Sequence, residues 1–193
     1  MKEGVSAMGF LAWPLESNRI RRDVKNNTFG TVRRNADGTA RDHQGWDLVA
    51  TPLTAFYAIA DGVIQKSENH DHKGHGKVVV LEFQYQGRTL FALYSHLSIA
   101  SVARGTAVKQ GEVIAYTGTS GNAKGMKGED QHLHFEIRSA LEVGRGLSGR
   151  VDPSTLYGKA PLQYSIIESH AQKRLMVAGA TGLKISAADM RRW

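Results

Sequence analysis

The chain has 193 residues, room for one domain and a short appendage, and no cysteine, which excludes disulfide scaffolds, Cys-ligated zinc sites and thiol nucleophiles. Any metal site must therefore use His, Asp or Glu. A formal net charge of +7 suits an anionic partner such as nucleic acid, lipid head groups or an acidic wall polymer, but the charge is uneven. Residues 159–193 carry Lys159, Lys173, Arg174, Lys184, Arg191 and Arg192 against Glu168 and Asp189, so the rest of the chain is only modestly basic. Charge alone does not support nucleic-acid binding. No segment approaches the roughly eighteen apolar residues of a membrane span. Met8 to Trp13 is apolar, but Glu3, Pro14 and the lack of a small-x-small site do not read as a secretory signal.

In chain order, Phe56 to Gln65 reads as a strand broken at Asp61-Gly62. Lys77 to Gln84 and Thr89 to Ser95, joined by a short Gly-containing loop, predict a β-hairpin. Val113 to Thr117 follows a Gln110-Gly111 turn and is a further strand; Gln131 to Arg138 alternates cleanly and is another. The pattern predicts an all-β or β-dominated domain of antiparallel hairpins over residues 1–158. Residues 159–193 differ. Ser165-Ile-Ile-Glu168 is a capping-box pattern and Gly179 a helix stop, predicting a partly helical tail over about 166–178.

Three histidine contexts carry chemistry. In His132-Leu-His-Phe-Glu-Ile-Arg138 a strand puts His132, His134, Glu136 and Arg138 on one face and Leu133, Phe135 and Ile137 on the other. The bland alternative is an exposed polar face. In His43-Gln-Gly-Trp-Asp47 the i, i+4 spacing lets both side chains cooperate on a strand or a helix, and Gly45 permits a bend. His96 follows Tyr94-Ser95 at a strand end. Singly, it reads as structural, and Ser95 beside it is no triad, since neighbours on a strand face opposite ways. Together they offer one carboxylate and four imidazoles, and three protein ligands plus water is the recipe for catalytic zinc. A fourth stretch, Asn69 to Gly76 with His70, His72 and His75, reads first as a solvated hairpin loop rimming a groove, with metal binding of its own as the alternative.

His43-x-Gly45-x-Asp47-Leu48, Tyr94-Ser-His96-Leu97 and His132-Leu-His134-Phe-Glu-Ile-Arg138 resemble the signature of lysostaphin/LytM-type zinc endopeptidases, peptidase family M23, over roughly Trp13 to Tyr157. Phe29-Gly30, Ala60-Asp-Gly-Val63, Gly118 to Gly121 and Asp152-Pro153 agree with it. The resemblance implies one zinc held by His43, Asp47 and His134, with His96 and His132 as unligated catalytic histidines. It implies hydrolysis of peptide bonds in bacterial peptidoglycan, in stem-peptide cross-links or glycine bridges, through a zinc-activated water. Action would then be in the periplasm or cell wall, reached as a secretion-system effector, a phage component or an excised domain. A protein partner at the tail or groove is a further expectation. The principal alternative is a catalytically silent scaffold of the same fold that binds the wall or activates another hydrolase.

Overall fold

The computed structural model describes residues 10–71 and 74–170. Its strands are β1 (Ser17–Asn18), β2 (Gly30–Arg34), β3 (Ala40–His43), β4 (Trp46–Val49), β5 (Ala55–Tyr57), β6 (Gly62–Glu68) and β7 (Val78–Tyr85). They continue as β8 (Arg88–Ser95), β9 (Leu97–Ile99), β10 (Ala107–Val108), β11 (Val113–Thr117), β12 (His132–Arg138), β13 (Arg150–Val151) and, after the short helix α1 (Ser154–Tyr157), β14 (Ile166–Ile167). The β-dominated, antiparallel expectation holds.

The largest sheet runs β10-β6-β7-β8-β12-β13, with β4 also paired to β12. Its central hairpin, β7–β8, turns at Gln86-Gly87 with both residues at positive φ (49° and 75°), the two-residue turn that matches strand twist and favours glycine. Val78 to Leu81 is a continuous apolar run because both faces of β7 are covered. Val79, Leu81 and Phe83 enter the main core, whereas Val78 and Val80 join Leu93 in a smaller cluster beneath Phe91 and Leu141. The expected strand over Phe56 to Gln65 is two strands, β5 and β6, in different sheets, and the break falls at residues 58–61.

The tail reading needs one correction. Ile166–Ile167, placed inside a helix by the capping-box pattern, is strand and pairs antiparallel with Ser17–Asn18. Glu168 reaches back across the fold instead: its Oε2 accepts the Trp13 backbone N–H at 2.8 Å. Long-range pairing has overridden a local signal. Ala160, Leu162 and Ile166 pack against the main core. The remainder of the expected helix, from residue 171, lies outside the described residues.

Candidate metal centre and its cleft

Strand β12 is the hub. Its edge toward β8 pairs His134 with Ser95 and Phe135 with Tyr94; the other edge pairs His134 with Asp47 and Phe135 with Trp46. Leu133, Phe135 and Ile137 are fully buried in the core, as alternation predicts. The opposite face, with His132, His134, Glu136 and Arg138, is buried too, so the exposed-polar-face alternative is excluded.

His43 ends β3 and Asp47 lies in β4, and the chain crosses between sheets at Gln44-Gly45. The glycine is needed for close approach rather than for an unusual bend: a Cβ at Gly45 would lie 2.1 Å from the Phe135 carbonyl oxygen. Trp46, locked against Trp13 and Tyr157, fixes Asp47 from the core side.

The side chains converge. His43 Nε2 lies 3.0 Å from Asp47 Oδ1 and 3.2 Å from His134 Nδ1, and His134 Nδ1 lies 2.8 Å from the same Oδ1. These three atoms form a buried set able to hold one metal ion. Each outward-facing nitrogen is tied off. His43 Nδ1–H donates to the Thr28 carbonyl at 2.8 Å, and His134 Nε2–H donates to Glu136 Oε1 at 3.0 Å. Glu136, fully buried, also accepts from Arg138 Nε at 2.7 Å and Arg150 Nε at 3.0 Å. Asp47 Oδ2 turns away from the imidazoles to Arg33 at 2.6 Å, with Arg21 at 3.5 Å.

His96 and His132 complete the cluster without joining the three-atom set. Their rings meet edge to face at 5.0 Å, His96 lies 5.9 Å from the His134 ring, and His132 Nε2 is 3.6 Å from Asp47 Oδ1. Both Nδ1 atoms bond backbone carbonyls, Ser120 at 3.0 Å and Asp130 at 2.7 Å, which leaves each Nε2 for the interior. His96 sits at φ 62°, a left-handed conformation rare for a non-glycine residue, at the corner between β8 and β9. Its backbone N–H is held by the His75 carbonyl.

Burial dominates the electrostatics. It pushes His43 and His132 below the ordinary histidine value and, helped by the neighbouring imidazoles, takes His96 to about 3. Burial alone would raise Asp47, but His132, His134 and His43 hold it well below the usual carboxylate range. His134 is the exception: against the burial effect, Asp47 and Glu136 lift it to about 9 in the metal-free protein.

The second grouping of potential ligands among the described residues is His75, His134 and Glu136. Glu136 there is already committed to two guanidinium groups and to His134, so it acts as a brace. Of the histidine-rich loop, His75 reaches the site, its ring 5.5 Å from that of His134; His70 lies outside the cleft lining, and His72 lies outside the described residues. Alternation marks Glu136 as lying on the His134 face. Nothing local in the sequence marks Arg33 or Arg150, each of which reaches its carboxylate from another strand fourteen residues away.

The cluster opens into a cleft of roughly 800 Å³, one wall of which is the β2–β3 hairpin.

The profile of Peptidase family M23 matches residues 41–153. The chain is 32% identical over 171 residues to an uncharacterized metalloprotease of Haemophilus influenzae, covering 88% of this chain and 31% of that protein. It is 30% identical over 128 residues to the peptidoglycan DD-endopeptidase ShyC of Vibrio cholerae, covering 66% and 26% respectively. The chain thus spans about a third or less of these relatives. Among solved structures it resembles the catalytic domain of the antimicrobial peptidase lysostaphin from Staphylococcus simulans. That match has a TM-score of 0.54 and 25% identity and covers 68% of this chain and 90% of that one.

Proposed function

The chain belongs to peptidase family M23, and from that premise we propose that it hydrolyses peptide bonds in bacterial peptidoglycan using one zinc ion held by His43, Asp47 and His134. The observation that carries the reading is the convergence of two imidazole nitrogens and one carboxylate oxygen within 3.2 Å. The donor set fits zinc: borderline nitrogen ligands and one charged oxygen, each histidine oriented by a bond from its other nitrogen. A zinc ion held there supplies a Lewis acid that polarises a carbonyl and acidifies water.

The remaining work falls to this chain's side chains. His96 and His132, neutral near pH 7 and braced at Nδ1, present two Nε2 atoms beside the three-donor set. Between them they supply a proton acceptor and a donor that stabilises developing negative charge or protonates the leaving amine. The cleft positions an extended peptide across these groups. Relatives named as peptidoglycan DD-endopeptidases support the substrate class, and the positive surface suits an anionic wall. Action in the periplasm or wall follows from that substrate. We take residues 1–158 as the peptidase unit and 159–193 as an appended segment whose first part packs on it. The complete set His43, Asp47, His96, His132 and His134 favours a peptidase over a silent scaffold.

Digestion of purified peptidoglycan tests this. New amino termini without new reducing sugars are expected; new reducing sugars without free amines would overturn the assignment.

A further inference from the structure

Four arginines (Arg21, Arg33, Arg34 and Arg41) line the cleft, while Asp47 is the one acidic residue among its lining residues. Three of the four are occupied. Arg33 holds Asp47 and Asn27, Arg21 holds Asn27 and approaches Asp47, and Arg34 bonds the Gly38 carbonyl. Arg41 is different: among the described residues its side chain has no hydrogen-bond or ion-pair partner. Yet it is the register partner of Arg33 across the β2–β3 hairpin, so two guanidinium groups emerge side by side on one face. Like charges directly opposite each other weaken a strand pair. Arg33 already feels this crowding: burial lowers it from the ordinary arginine value despite Asp47, and Arg21 and Arg41 add to the lowering. Within the fold, Arg41 is a cost without a return.

Its position gives the return. Arg41 lies two residues before His43 on the same strand, hence on the same face and about 7 Å from it along the chain. An extended peptide lying across the centre has a similar rise per residue. We infer that Arg41 is a specificity residue that binds a carboxylate of the substrate within two residues of the bond being cut. This inference rests on the peptidase reading and narrows it: the substrate is an acid-bearing stem peptide and not a neutral glycine bridge. Arginine suits the task because its planar fork takes a carboxylate through two parallel bonds.

The test is equilibrium binding of uncross-linked stem peptides excised from peptidoglycan, as free carboxylates and after conversion of those carboxylates to carboxamides. The wild-type protein should bind the carboxylate form about tenfold more tightly. Arg41→Gln should bind both forms alike with a melting temperature no lower than that of the wild type, and Arg41→Lys should fall between. Arg88→Gln, which removes the same charge at the exposed β7–β8 turn, should keep the full preference. A preference that survives in Arg41→Gln, one lost equally in Arg88→Gln, or none in the wild type would each overturn the proposal. Hydrolysis of cross-linked peptidoglycan, followed in parallel, separates the two readings. Selective binding without cleavage defeats the peptidase assignment alone, and cleavage without selectivity defeats the Arg41 subsite alone.

Discussion

His134 Nε2–H donates to Glu136 Oε1 at 3.0 Å, two residues farther along the same strand, and this bond turns the other ring nitrogen toward Asp47. Glu136 in turn neutralises Arg138 and Arg150, so one buried carboxylate fixes a metal ligand and two cations at once. Glu136→Gln should therefore lower zinc affinity by about 10–100-fold. Leaving two buried guanidinium groups without a counter-charge should also cost on the order of 3 kcal/mol in stability. Chelator competition and thermal melting measure the two effects; a variant with wild-type affinity and stability would remove Glu136 from the account.

Backbone contact makes Gly45 a second sensitive point. Gly45→Ala would drive a methyl group into the Phe135 carbonyl, where no side-chain rotation gives relief. The expected loss exceeds about 2 kcal/mol and carries metal binding with it, because β4 and β12 must separate. Gly144→Ala, with open space around its Cβ and no positive φ, should stay within about 0.5 kcal/mol of wild type. Equal melting temperatures for the two variants would refute the close-approach argument.

The functional strand was readable because alternation in His132 to Arg138 is strict, and two imidazoles two apart must share a face. The β7–β8 hairpin was readable for the same reason, with its Gly-containing turn between apolar runs. What escaped was non-local. Arg33 and Arg150 each reach a carboxylate fourteen residues away through strand pairing, and no spacing rule encodes them. The group orienting His43 was equally hidden, since it is a backbone carbonyl, that of Thr28, whereas alternation put Glu136 on the face of the His134 that it orients. At Ser165 to Glu168 a valid local helix signal lost to pairing with Ser17–Asn18.

His96→Ala and His132→Ala should separate catalysis from structure. Neither ring belongs to the three-donor set, so zinc content and melting temperature should stay near wild type while turnover falls about 10²–10⁴-fold. If zinc is lost with either ring, that histidine is a ligand. Undiminished turnover in His132→Ala would end its catalytic assignment.

Metal uptake should depend on pH through His134. Its value in the folded, metal-free protein is raised to about 9, so its proton contributes stability that is fully present below the ordinary histidine value. That contribution declines as pH rises and is gone above about 9. Zinc must displace this proton to reach Nδ1. Apparent zinc affinity should therefore increase from pH 7 to 9, and calorimetry at pH 8 in buffers of different ionisation enthalpy should show one proton released. A flat affinity over that range would show that His134 is not protonated in the metal-free chain.

Most direct of all is titration of metal-stripped protein with zinc while amino termini released from purified peptidoglycan are counted. A single centre of His43, Asp47 and His134 predicts no release without metal, a linear rise, and a plateau at one zinc per chain. Undiminished release after stripping, or a rise that continues to a second equivalent, would contradict it.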